Sequence, residues 1–489
     1  MEQEIVLEAR PGSEVLFFDL AELDRLDRVV LSVEEARKHP HNPILQLGDK
    51  DAWDCAQASP WAMRTVIYDA EDKVFKCWYN GTDLRMHSPN YAGYAVSADG
   101  VVWEKPNLGV FEFEGSTRNN IILNDPYGCV IKDEAEYDPA RRYKMRVTGA
   151  VRYSADGIRW TDWIRLNVPP TEPKPWDAVA FVRDDFDPDP ARRYKYVYQY
   201  YDRANKPGPE LVRHKALVFG ADECGWQPSA VKPMLGPNDG FEHENHFLMF
   251  IPYKGQYVVL YECGWYHPDG TGRYGRYLAD IRLAHSRDGE HFTRINPHQA
   301  VIAIGEPGEW DGQFIVITDK AILKDDTIYL YYCGQGRDWT SWPPANAVPG
   351  DRTLNPKTGK GATGNVALSR MGLAMLRADR FTAIGTVDGR SFGSLTTKPI
   401  RVPRERAQEL RLNLSGGRPG VSWLTVEVLD AAGVPLPGFA ESDCPRLFTD
   451  SVRLPIRWRS GGFGAVSAPV VRLRFHLYGN AKLHAFAFA

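Results

Sequence analysis

The chain has 489 residues, with 59 Lys and Arg against 63 Asp and Glu and a net charge of -4. That balance excludes the basic footprint of a nucleic-acid-binding surface, and a hydrophobic content of 43% excludes a chain too polar to bury a core. No run of about 18 apolar residues occurs, so no membrane-spanning helix is expected, while 43 Gly, 35 Pro and 12% aromatic residues point to many short strands and turns.

The start of the chain, Met1-Glu2-Gln3-Glu4, is acidic and lacks the basic start and apolar run of a signal peptide. Seven scattered cysteines, odd in number and without CxxC spacing, argue against a disulfide framework and a zinc site. Reduced thiols in a cytoplasmic protein are the expectation. Residues 1–39 read as an extension packing on the domain that follows, with short helical pieces at 21–26 and 33–37.

From about residue 40 one segment type recurs five times: Val74-Phe75-Lys76-Cys77-Trp78-Tyr79, Arg142-Tyr143-Lys144-Met145-Arg146, Arg193-Tyr194-Lys195-Tyr196-Val197, Gln256-Tyr257-Val258-Val259-Leu260 and Thr327-Ile328-Tyr329-Leu330-Tyr331. Each is β-branched and aromatic, follows a tight turn such as Asp138-Pro139-Ala140, and has another apolar run upstream, the pattern of a hairpin. A second element follows: Ser97-Ala98-Asp99-Gly100, Ser154-Ala155-Asp156-Gly157 and Ser286-Arg287-Asp288-Gly289 each lead to an aromatic residue that opens the next strand. Four strands in a unit of roughly sixty residues make a propeller blade. The fold class is therefore all-β: a five-bladed β-propeller over residues 40–385. After a linker at 386–400, alternating segments such as Leu424-Thr425-Val426-Glu427-Val428-Leu429 and Val471-Arg472-Leu473-Arg474-Phe475 predict a C-terminal β-sandwich at 401–489. The sandwich is expected to pack on the propeller.

First strands of propeller blades line the central channel. Three Trp-Asp pairs, Trp53-Asp54, Trp176-Asp177 and Trp310-Asp311, stand just before first strands, and a fourth begins Phe241-Glu242-His243-Glu244-Asn245-His246. Asp54, Asp177, Glu244 and Asp311 are one or two blade lengths apart, and Asp125 falls near the equivalent place in the remaining blade. One acid per blade predicts a ring of carboxylates at one mouth. Glycoside hydrolysis uses two carboxyl groups flanking the scissile bond, one ionised and one protonated. Indole rings beside them suit the apolar faces of sugars. For each acid taken singly, the alternative is a turn or cap residue.

The five-blade repeat followed by a sandwich resembles the glycoside hydrolase family 32 and 43 superfamily, the furanosidase propellers. The resemblance implies Asp54 as nucleophile or base, Asp177 as transition-state stabiliser with Arg183-Asp184 nearby, and Glu244 as the acid. Tyr261-Glu262-Cys263 is similar to the Glu-Cys motif of family 32, but Glu262 falls on a second strand and ranks below Glu244. The family's Asn-Asp-Pro-Asn-Gly motif has its only similar string at Asn124-Asp125-Pro126-Tyr127-Gly128, ahead of blade two rather than in blade one. The chain is thus similar to an uncharacterised family-32-like relative.

Trp53, Trp176, Trp310, Asp125, Asp311, Arg64, Asn245, His246 and Glu262 are the candidates for substrate binding, with loop capping as their structural alternative. No histidine cluster has metal-ligand spacing and no P-loop or dinucleotide fingerprint occurs, so no cofactor and no metal are expected. The expected activity is hydrolysis of small fructose- or arabinose-type furanosides, with a small carbohydrate as the sole partner and no nucleic acid or membrane. Apolar strands such as Ala485-Phe486-Ala487-Phe488 leave self-association into a homo-oligomer open. The alternatives are a glycosyl-transferring enzyme (a phosphorylase or transglycosylase) on the same fold, which needs a cationic cluster for phosphate, and a non-catalytic sugar-binding module.

Overall fold

A computed structural model describes residues 6–83, 91–125, 127–169, 175–202, 212–237, 242–267, 276–336 and 369–489, with the backbone alone at Trp176, Asp202, Val212, His267 and Arg276. The chain divides into two compact units, one of residues 36–324 and 328–375, the other of 1–35, 325–327 and 376–489. Among the described residues there is no α-helix, and no helix long and apolar enough to cross a membrane.

The first unit contains the five predicted blades. Blade one is built from Thr65–Asp69, Val74–Thr82, Tyr91–Ser97 and Ile121–Leu123, and blade two from Cys129–Lys132, Tyr143–Val147, Ala150–Ser154 and Ile164–Arg165. Blade three is Pro175–Arg183, Tyr194–Asp202, Val212–Gly220 and Gln227–Pro228; blade four is Leu248–Tyr253, Gln256–His267, Arg276–Ser286 and Thr293–Arg294. Blade five takes Phe314–Ile317, Thr327–Gln335 and Arg370–Arg377 from its own stretch of chain and its outer strand, Arg37–Lys38, from the N-terminal side.

Apolar clusters shared between neighbours close the blades into a ring. Trp78 meets Tyr143, Ile131 meets Phe181, Val197 meets Val259, Tyr277 meets Phe314, and Tyr331 returns to Phe75 of blade one. Each such aromatic contributes roughly 1.5–3 kcal/mol by leaving water. Polar latches fix the register. Asp69, at the end of blade one's inner strand, accepts from Lys76 of its own blade at 2.7 Å and from the hydroxyl of Tyr143 in blade two at 2.6 Å. Asp133 repeats this with Lys144 and Tyr194, and Asp184 with Lys195 and Tyr257. The recurrent aromatic-Lys pair of the sequence is thus half of an interblade lock. The Asp-Gly turns also have a packing role. Gly157 has φ +76, its carbonyl accepts from Trp78 Nε1 at 2.7 Å, and a Cβ there would lie 2.8 Å from the Trp78 ring.

The second unit is a sandwich of two six-stranded sheets. One contains Val470–Tyr478 and Trp423–Asp430, the other Lys482–Phe488 and Leu410–Ser415. Its core joins Leu424, Val426, Phe475 and Phe486 with Val15, Phe17 and Leu23 from the start of the chain.

Here the sequence boundaries need correction. Residues 7–33 do not form an extension of the propeller but supply strands to the sandwich, whereas Arg37–Lys38 joins blade five. Leu7–Glu8, Glu14–Leu16, Leu23–Asp27 and Val29–Val33 are strands of the sandwich, and the segments expected as helical pieces are extended. Ladder pairing to Phe392–Thr397 and Thr382–Thr386 overrides their local helix propensity. Nor is 386–400 a linker: it carries Phe392–Thr397 and begins Ile400–Arg401, both strands of the sandwich. The propeller is therefore an insertion in the sandwich chain, between Val29–Val33 and Thr382–Thr386, which pair with each other.

Candidate active site

Five side chains, Arg64, Asp177, Arg213, Lys215 and Glu244, are positioned by the local structure of blades one, three and four. Inner strand one is kinked because Asn80 Oδ1 accepts from the backbone of both Ala62, at 2.6 Å, and Met63, at 2.8 Å. Arg64 follows that kink. The register of Pro175–Arg183 shifts on either side of Ala178, a bulge that re-aims Asp177 and turns the Ala178 carbonyl to Arg64 Nη2. Glu244 is held by a two-way backbone bridge to Gly264, where a Cβ would lie 2.1 Å from the Tyr277 hydroxyl. Arg213 and Lys215 alternate on Val212–Gly220 and so share a face, Lys215 opposite Gln199.

Arg64, Asp177 and Arg213 line a cavity of about 390 Å³ with Gln199, His246 and Phe247, and Glu244 and Lys215 adjoin it through Arg213, His246 and Gln199. Asp177 accepts from Gln199 Nε2 at 3.1 Å. Burial pushes its carboxyl above the ordinary value, against the pull of Arg64, Arg213, His246 and Lys215. Glu244 behaves oppositely. Burial raises it, but the His246 ring, the Arg213 guanidinium and the Tyr266 hydroxyl at 2.8 Å outweigh burial and hold it down at about 2. The mouth thus carries one carboxyl driven toward its neutral form and one fixed as an anion, with Arg213 and His246 acting on both. Glu262 is fully buried behind them and accepts from Tyr277 at 2.5 Å, and burial raises it too. Lys215 Nζ donates to Gln199 Oε1 at 3.2 Å and to the Asn245 carbonyl; burial, then Arg213, push it down to about 7.

The expected ring of acids does not form. Asp54 is held by Tyr79 at 2.8 Å and Lys105 at 2.5 Å and lines a separate cavity with Lys105 and Asn120. Trp53 stacks on Tyr79 at 5.5 Å and donates to Asn120. Asp311 repeats the arrangement in blade five, with Tyr332 at 2.9 Å, Lys38 at 2.7 Å and Trp310 stacked on Tyr332 at 5.6 Å. These Trp-Asp pairs recur at blade period because they close the blade. None of Trp53, Asp54, Trp310 and Asp311 lines the cavity that holds Asp177, so the acids expected on one shared mouth are divided among separate places. Asp125 pairs with Arg152 at 2.9 Å and Trp163 at 2.6 Å on the outer strands of blade two. The side chain of Trp176 lies outside the described residues.

Arg64, Asp177, Glu244, Asn245, His246 and Glu262 are the predicted residues that the fold gathers. It adds Gln199, Arg213, Lys215, Tyr266 and Tyr277, which sequence reasoning missed. Their one signal was Arg213-His214-Lys215 interrupting an otherwise apolar strand. At the opposite end of the channel a cavity of about 490 Å³ is lined by Lys132, Arg183 and Lys320 among apolar residues. Each of those cations already pairs with an aspartate, Asp69, Asp133 and Asp319 respectively.

No family model and no curated protein matches the chain. Among solved structures it is similar to a protein described as belonging to the GH130 family of mannoside phosphorylases, which contains glycoside hydrolases targeting β-1,2-mannosidic linkages in Candida mannan. That similarity has 14% identity and a TM-score of 0.43, covering 71% of this chain and 94% of that one. It is also similar to a GH32 β-fructofuranosidase of Bombyx mori (11% identity, TM-score 0.40, covering 96% and 95%) and to a family 117 glycoside hydrolase of Zobellia galactanivorans (12%, 0.35, covering 71% and 90%). Three different glycoside hydrolase families are represented, so families 32 and 43 are not singled out.

Proposed function

We propose that the protein cleaves glycosidic bonds of small carbohydrates in this mouth, with Asp177 as proton donor and Glu244 as the ionised partner. What supports the reading is the surroundings of two carboxyl groups near Arg213 and His246: Glu244 is bonded to both and to Tyr266, whereas buried Asp177 lines the cavity with them and accepts only an uncharged amide among the described residues, so that burial raises it. A carboxyl raised by burial holds its proton to higher pH than an ordinary aspartate and can hand it to the leaving oxygen. A carboxylate of such low basicity is a poor proton acceptor but suits an oxocarbenium-like transition state, as nucleophile or as counter-charge. Relative to the roles implied by the family resemblance, the donor moves from Glu244 to Asp177. Fructose- and arabinose-type furanosides remain the first substrates to test, with pyranosides beside them.

The experiment is a comparison of leaving groups. Asp177→Asn should lose turnover of glycosides with poor leaving groups by a factor of about 10²–10⁴, the usual worth of general acid catalysis, and largely spare 2,4-dinitrophenyl glycosides, which leave without a proton. Glu244→Gln should impair both. Full activity in both variants would defeat the assignment. A second reading, transfer of the glycosyl group to an acceptor other than water, is favoured by the cations around Asp177.

A further inference from the structure

We infer that this mouth is built to hold an oxyanion, with Arg64 as its central partner. The inference deepens the glycoside-cleaving reading by naming a negative charge on the substrate or co-substrate.

Arg64 is only 1% exposed, yet it lines the cavity. Its guanidinium lies 4.0 Å from the Phe247 ring centroid, and Nη2 donates to the Ala178 carbonyl. Among the described residues it forms no ion pair with a carboxylate, and Nε and Nη1 have no acceptor. A guanidinium cannot shed its proton, so burial without a counter-ion is costly unless a ligand supplies one. The neighbouring acids are engaged otherwise. Asp177 is raised by burial, Asp319 is held by Lys320 and by the Thr65 hydroxyl at 3.1 Å, and Glu244 is bound to Arg213 and His246. Lys215 adds a further basic group and, among the described residues, donates to neutral oxygens. Asn245 is completely buried beside Lys215, with both polar atoms of its side chain unpartnered among the described residues.

Two sources share this chemistry: inorganic phosphate as co-substrate, or the carboxylate of an acidic sugar. In the first case a phosphate oxygen bonds to the anomeric carbon as the bond to the leaving oxygen breaks. Asp177 gives the leaving oxygen its proton and recovers one from the bound hydrogen phosphate.

The test is calorimetric titration of the full chain with inorganic phosphate, glucuronate and glucose at neutral pH. One of the two anions should bind at millimolar concentration or better, with a heat that depends on the buffer, because an anion beside Lys215 draws a proton onto it. Arg64→Met should weaken that binding at least tenfold, and Arg64→Lys should recover part of it. If Arg64→Met fails to fold, as judged by circular dichroism, Arg213→Gln is expected to weaken the same anion. Failure of both anions to bind the wild type, or unchanged binding in the folded variants, overturns the inference. Turnover that requires phosphate and releases a glycosyl phosphate assigns the anion to the co-substrate, whereas phosphate-independent cleavage of aryl uronosides assigns it to the sugar. Anion binding through Arg64 without turnover of any glycoside would leave this inference standing and remove the function proposed above.

Discussion

Asp311 accepts a hydrogen bond from Tyr332 at 2.9 Å, in an arrangement that Asp54 repeats with Tyr79 at 2.8 Å. Both tyrosines also receive an asparagine amide, Asn42 at 3.2 Å and Asn120 at 2.7 Å. Both aspartates lie against a glycine six residues back in the chain, Gly305 and Gly48, where a Cβ would fall 2.3 Å from the carboxylate. The two clusters are one structural device used twice. Asp54→Asn and Asp311→Asn should each cost stability, about 1–3 kcal/mol for a disturbed buried network, seen in urea unfolding. Both should keep kcat near wild type on whatever glycoside the protein turns over. Loss of kcat in folded Asp54→Asn would return Asp54 to the catalytic set.

The interblade latches differ in depth. Lys195 is wholly buried between Asp184 at 2.9 Å and Asp187 at 2.7 Å. Lys195→Met strands two buried carboxylates and should cost about 3–5 kcal/mol. Tyr257→Phe removes a single hydroxyl donor from Asp184 and should cost about 1.5–3 kcal/mol. Denaturant midpoints of the two variants test the order, and a larger effect for Tyr257→Phe would contradict it.

Activity should fall at high pH as Asp177 loses its proton, at a pH above the ordinary aspartate range because burial raises this group. Arg64 and Arg213 both oppose that rise, so taking either charge away raises Asp177 further. The alkaline limb of the kcat profile should therefore move to higher pH in Arg64→Met, and a move to lower pH would count against Asp177 as donor.

In the sandwich, His484 is buried with Nδ1 3.0 Å from the Thr382 carbonyl and Nε2 2.8 Å from Ser415 Oγ. That pair of partners fits the neutral ring, which gives one proton and accepts one. Burial, then Arg380, push the group down to about 3. The unfolded chain therefore binds this proton more readily than the folded one. The stability linked to His484 is complete above the ordinary histidine value and is lost as pH falls toward 3, on the order of 4 kcal/mol over the whole window. Thermal unfolding between pH 7 and 4 should show a steeper decline for wild type than for His484→Gln.

How far the fold could be read depended on contact range. Each blade is local in sequence, so Tyr143, Tyr194, Tyr257 and the Asp-Gly turns announced it. The sandwich pairs Leu23–Asp27 with Phe392–Thr397 across most of the chain, and no local pattern in 1–39 could name such a partner. Periodicity misled where it reported architecture: Trp53-Asp54 and Trp310-Asp311 recur because blades recur. The site itself was half legible. Glu244 and His246 stand out beside a first strand, but Arg213 and Lys215 sit on a third strand, and only the three-dimensional register turns that face toward Asp177.

The insertion of the propeller into the sandwich also sets an order of events during synthesis. The strands Leu7–Glu8 through Val29–Val33 leave the ribosome before the propeller, but their partners lie beyond residue 376. All five blades can close as soon as residue 377 has emerged, since Arg37–Lys38 is already waiting to complete the last of them. Strands made before the propeller thus find their place only after it, and their uncovered apolar edges are what a chaperone would have to shield meanwhile.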